Sequence, residues 1–332
     1  MGRELTFADA KIIEIVKEHF IPVAADDWFQ RRRQDAEGEF FRMVADQGPR
    51  NGQGGSTRQG IYAFTADGKL LQYRNHQDPG VMRGFLLTAL KAWEQIPAAQ
   101  RAKGAIEVPD LNKLDARYAP ALPKDALIVN VYARILDRTG DFFCHGKCDF
   151  PGGQRASHDH LWICADEWRA LLAKEAKKDQ EIAIPPKLMY RLARFHLVDN
   201  TRGEPPMWAR KDVQIVQVKL VVEKVTAAEV QLKLAGSVLL ASDADPKGAK
   251  RGFDVSLDGQ IHYEPAKGKV TKFNVVAVGE HWGSGRYTGG ARPGRNPFGV
   301  AFELADPSRD ADRVPPQGIR EGRGYYDADR FR

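Results

Sequence analysis

The sequence predicts an α/β N-terminal domain, then a mixed α+β segment, then an antiparallel β-rich C-terminal domain. Three observations carry this. Helix-period apolar spacing surrounds a single hairpin up to Ala98, short scattered elements follow, and long period-two alternation begins after Asp212. At 332 residues the chain exceeds what one core usually serves. The expected divisions are 1–98, 99–211 for a linker and mixed segment, 212–305 for a sandwich or partly closed barrel, and 306–332 for a loosely ordered tail.

The elements follow in order. Ala8, Ile12, Ile15, Val16 and Phe20 recur at helical spacing behind Thr6 and Asp9, which are capping residue types. Residues 20–25, with Phe20, Ile21 and Val23, suit a buried strand. A second helix is expected over 31–44, with Phe40, Phe41 and Val44 on its apolar edge, and its Arg31-Arg32-Arg33 run reads as a solvated face. Residues 61–64 and 70–73 flank Asp67-Gly68, a tight-turn pair, so they read as a hairpin. Pro79 opens a helix reaching Trp93, with Val81, Phe85, Leu86, Ala89 and Leu90 on one face.

Further on, residues 127–136 read as a strand, 160–164 as a short apolar segment, and 166–178 and 185–195 as helices. Val218, Leu220 and Val222, then Val230, Leu232 and Leu234, alternate cleanly with other residues. Residues 253–263, 270–279 and 298–304 continue the pattern with no helix between, which favours an antiparallel arrangement.

Composition narrows the function classes. No apolar run approaches the ~20 residues of a membrane span. The net charge of +6 comes from interspersed signs, so no nucleic-acid-binding face is expected. Only three cysteines occur, Cys144, Cys148 and Cys164, too few for a disulfide-stapled scaffold. No signal-type apolar region follows Met1. The expected location is therefore cytoplasmic as written, and exported if the true start lies upstream.

Residues 5–98 resemble the thioredoxin-like superfamily. The resemblance is carried by Thr6-Phe7-Ala8-Asp9, by Phe20-Ile21-Pro22-Val23 with Asp26 after it, and by Tyr62-Ala63-Phe64 leading to Asp67-Gly68-Lys69-Leu70. It implies a helix, strand, helix, hairpin, helix order. The family's C-x-x-C pair needs a helix N-terminus to populate the thiolate, yet no cysteine precedes Cys144. Arg58-Gln59-Gly60 stands where the family carries a cis-proline. The resemblance thus implies a redox-inactive member, a binding or accessory protein whose partner is an unknown protein or small molecule.

Other residues suggest chemistry. Cys144, Cys148, His158 and His160 supply the thiolates and imidazoles that zinc or copper(I) prefers, with Cys164 nearby. Their C-x₃-C and H-x-H spacing matches no standard zinc pattern, and structural cysteines or a reversible Cys144–Cys148 disulfide are the alternatives. A Gly-rich stretch, 283–295, carries Arg286, Arg292 and Arg295. Its backbone N–H groups and arginines suit an anionic small molecule, with His281 as base and Glu280 as neighbouring acid. A flexible loop with solvated arginines is the bland reading. His196 with Asp199 or Glu204 is a further acid–base pair, set against an ordered connection anchored by Trp208. No phosphate-binding P-loop, G-x-S-x-G, H-E-x-x-H or dinucleotide fingerprint occurs.

Overall fold

The computed structural model describes residues 6–53, 57–107, 114–136, 157–173, 175–289 and 291–329. The chain forms two compact units, Met1–Pro120 and Ala121–Arg332. The break lies at 120, where the sequence places divisions at 98 and 211.

In the N-terminal unit, α1 (Ala10–His19) begins where the Asp9 carboxylate accepts from the Lys11 and Ile12 amides. Ile12 is buried on its inner face. The strand expected at residues 20–25 is absent: this stretch is extended, but Ile21 is 93% and Val23 76% exposed. Pro22 lacks the N–H that a ladder requires, so apolar content alone does not secure pairing. A short helix, α2 (Asp27–Gln30), follows.

The second long helix, α3 (Ala36–Ala45), starts five residues later than the sequence suggests. Arg33 explains the delay. It is buried, with Nε and Nη2 on the Asp35 carboxylate and Nη1 on Glu37. Asp35 in turn caps α3 through the Gly38 amide. The Arg33 hydrogen bonds pull the Asp35 pKa down to about 2. Gly38 is required here, since a Cβ would lie 2.3 Å from the Arg33 carbonyl oxygen. The arginine run is therefore not simply a solvated face.

The hairpin forms as expected, β1 (Ile61–Phe64) pairing antiparallel with β2 (Leu70–Arg74). Helix α4 (Pro79–Glu94) is capped by Asp78 and buries Met82, rather than Val81, beside Phe85, Leu86 and Ala89. These pack with Ile12 and Ala63 into one small core. On the hairpin's other face, Phe40 and Phe41 of α3 meet the rings of Phe64 and Tyr62. A single helical turn, α5 (Ala98–Arg101), follows.

Among the described residues, the C-terminal unit forms an eight-stranded antiparallel sheet with helices packed on it. Its strands are β3 (Leu127–Ile135), β4 (Ser157–Ile163), β5 (Glu181–Ile182), β6 (Val213–Val225), β7 (Val230–Ala241), β8 (Gly252–Glu264), β9 (Lys269–Trp282) and β10 (Asn296–Leu304). The spatial order is β4-β3-β10-β9-β8-β7-β6-β5. The alternation after residue 212 thus produces the expected antiparallel arrangement, as a meander from β6 to β10 within one sheet that also includes β3, β4 and β5. The mixed segment is not separate from it: β3 joins β10 through seven paired positions.

One face of the sheet is apolar and carries the main core, including Val131, Leu161, Leu232, Phe253, Val275 and Phe302. Against it pack α6 (Ala165–Ala170), α7 (Pro186–Arg191) and a π-helical turn, Leu192–His196, through Leu171, Leu188, Leu192 and Ala193. The expected loose tail is instead fixed over its described residues. Arg191 is fully buried and donates to both Glu167 oxygens at 2.6 and 2.8 Å, and to the Tyr325 and Tyr326 carbonyls. Arg194 donates to the Ala328 carbonyl, and Tyr325 in α8 (Arg323–Tyr326) is completely buried. Three backbone carbonyls of this segment find charged donors here, so a polar, Gly-rich sequence becomes ordered. No described helix is long and apolar enough to cross a membrane.

Candidate functional site

A small cleft lined by charged side chains lies in the C-terminal unit, where the chain leaving the π-helical turn meets the end of β9. Asp199 is buried and organised by local donors. It accepts from the Thr201 amide at 3.0 Å, the Thr201 hydroxyl at 2.6 Å and Arg202 Nε at 2.6 Å. Burial opposes its ionisation, but His281, Arg202 and Thr201 together hold its pKa below the ordinary carboxylate value. Arg202 then reaches the glycine loop, donating to the Thr288 carbonyl at 3.0 Å and the Gly283 carbonyl at 3.2 Å. Gly203 lets the loop close down, because a Cβ there would sit 2.0 Å from the Tyr287 oxygen.

His281 stands on the inner face of β9, 9% exposed, between the rings of Phe253 and Phe298. Burial pushes its pKa down to about 4; the nearby Arg202, Arg251 and Arg292 add to this and Asp199 opposes it. The imidazole is therefore neutral at pH 7. No hydrogen bond to its ring is made among the described residues. It faces a cavity of about 20 Å³ bounded by Asp199, Arg202, Arg292 and Asn296. A second cavity, about 10 Å³, shares Asp199, Arg202 and His281 and adds Arg251 and Trp208. Arg251 lies over the Trp208 ring at 3.8 Å and donates to the Pro206 carbonyl; burial lowers its pKa to about 10. Each cavity has room for roughly one water-sized species.

The predicted residues divide sharply. His281 and Arg292 line the cleft. Arg286 is exposed beside Tyr287, and Arg295 covers the Trp282 ring at 3.9 Å, so the three loop arginines do not converge. Arg292 donates to the carbonyls of Leu136 and Pro297. Glu280 precedes His281 in β9 and so points to the other face of the sheet, which removes it as a neighbouring acid. The glycine loop presents carbonyls to Arg202, not converging N–H groups to an anion.

His196 is not paired with Asp199 or Glu204. Its Nε2 lies 3.0 Å from the Tyr325 hydroxyl and its Nδ1 3.6 Å from Asp159, while Glu204 bonds Arg320. Complete burial lowers the His196 pKa to about 3. Trp208 is buried and donates to the Leu197 carbonyl, the anchoring role expected of it.

Of the thiol–imidazole cluster, Cys144 and Cys148 lie outside the described residues. His158 and His160 do share one face of β4, with ring centroids 4.7 Å apart, and His158 lies 3.0 Å from the Asn130 side-chain oxygen. Among the described residues no group of three or more His, Cys, Asp or Glu side chains is placed to hold a metal ion. Cys164 is half-buried beside Glu167, and burial raises its thiol pKa to about 11, leaving it protonated.

Asp199 and Arg202 belong to a stretch read mainly as a connection; an Asp-x-Thr-Arg sequence, able to bond its own backbone, is the signal that marks them. Arg251 has no sequence signal. No family model, no curated protein and no solved structure matches this chain.

Proposed function

We propose that the chain is a binding or accessory protein and that its C-terminal unit holds a small anion in the Asp199–Arg202–His281 cleft. One observation carries this reading. A neutral, buried imidazole faces a cavity whose walls hold Arg202 and Arg292, with Arg251 behind, against the single charge of Asp199. Such a site has a positive field and a free N–H donor, which suit a monatomic anion of about chloride size. The cavity is too small for a substrate and a nucleophile together, so binding fits better than catalysis.

The test is thermal unfolding of the full chain against chloride, fluoride and phosphate at fixed ionic strength. A saturable rise is expected with the small anions, about 2.7 kcal/mol at a hundredfold excess over Kd, and it should vanish in His281→Phe. An equal response in His281→Phe would overturn the proposal.

For the N-terminal unit, the reading is a thioredoxin-like module without redox activity. In its support, α1 and α4 pack together beside the hairpin, α3 packs on the opposite face, and no cysteine is present before Cys144. Insulin reduction at the rate of an active thioredoxin would contradict it.

A further inference from the structure

We propose that the open edge of β2 binds an extended acidic peptide of a partner protein by strand addition. Among the described residues the N-terminal sheet has two strands, and β2 has β1 as its one strand neighbour. Along its other edge runs a groove of about 680 Å³, with Gln47 and Arg50 on one wall and Leu70, Tyr73, Arg74 and His76 on the other. Five residues of β2 span ~17 Å, enough to pair with a short extended segment.

The edge shows which partner it needs. The Leu70 amide donates to the Gln47 side-chain oxygen at 3.0 Å, and the Tyr73 amide donates to the Gln72 side-chain oxygen at 3.0 Å. Gln47 also donates to the Gly68 carbonyl. Two side-chain amides thus occupy positions that peptide groups of a neighbouring strand fill, and an incoming backbone can replace them bond for bond.

Charge selects the peptide. None of the groove's eleven lining residues is acidic, while Arg50 and Arg74 are cationic. Arg74 is exposed and makes no ion pair among the described residues. Asp46, which precedes Gln47 in the chain, is held by Arg58 at 2.6 Å. Alternate side chains of an added strand point toward each face, so acidic residues at every second position reach these arginines.

The test titrates the full chain with a fluorescent, capped peptide of alternating Val and Glu. Its Val/Lys counterpart and a version N-methylated at alternate amides serve as comparisons. The acidic peptide should bind at least about tenfold more tightly than the lysine one, and weaken between about 0.1 and 1 M salt as screening shortens to ~3 Å. N-methylation should cost about tenfold or more, because backbone bonds are lost. Arg74→Glu should remove the preference for Glu over Lys, while Arg83→Glu on α4 should leave it unchanged. Equal binding of both peptides, indifference to N-methylation, or stronger binding of a single-stranded oligonucleotide would overturn the proposal. So would self-association of the chain that Arg74→Glu leaves intact and the acidic peptide does not displace.

Discussion

The two units solve the same problem, packing helices against a sheet, at different scales. Among the described residues, the C-terminal unit has eight strands, a continuous core beneath them, and charged groups drawn inside with their partners. The described N-terminal residues form two strands and a core of six buried apolar residues, and leave Ile21 and Val23 in solvent. Two strands are marginal without helical cover. The contrast separates two kinds of site: a closed, preorganised cleft where the core is deep, and an open strand edge where the sheet is narrow.

Variants can break this contrast, beginning with the largest expected effect. Arg191→Ala should destabilise the C-terminal unit by about 3–5 kcal/mol in urea unfolding, because it strands buried Glu167 and frees the carbonyls that hold the C-terminal segment. A loss under about 1 kcal/mol would mean that the segment is not held as described.

Acidification comes next. His281 and His196 have folded pKa values near 4 and 3, below the unfolded value of about 6.5. The unfolded chain therefore binds more protons in this window, and stability should fall as pH drops from about 6.5 toward 4. The loss, on the order of 3 kcal/mol per histidine, should shrink in His281→Phe. Flat stability over that range would contradict the buried neutral imidazoles.

A smaller effect is expected for Tyr325→Phe. It deletes the hydroxyl between His196 and the Trp162 amide, and should cost about 1–3 kcal/mol. Least of all, Ile21→Ser should change stability by no more than about 0.5 kcal/mol, since its side chain is almost wholly exposed. A larger loss would show that residues 20–25 pair as a buried strand after all.

The same contrast governs what the sequence reveals. Alternation over residues 213–304 was legible because one buried face imposes a period of two on every strand. The hairpin and α4 were legible from Asp67-Gly68 and from Pro79 behind Asp78. What could not be read was long-range: that β3 and β4 extend the meander's sheet, or that Arg191 and Arg194 would fix a polar tail 134 positions away. Those partners are backbone carbonyls, which every residue carries, so no side-chain pattern announces them. The cleft was half legible. His281 and Arg292 stood out as residue types, whereas the carbonyl-facing loop and the opposite orientation of Glu280 depend on backbone direction.

The most direct test of the cleft is the ring titration of His281, followed by NMR in chloride-free buffer and again with saturating chloride. The expected pKa is near 4 without the anion and rises when chloride binds, because a bound negative charge favours the imidazolium. A His281 that titrates near its ordinary value of about 6.5 and ignores chloride would contradict the anion-binding cleft.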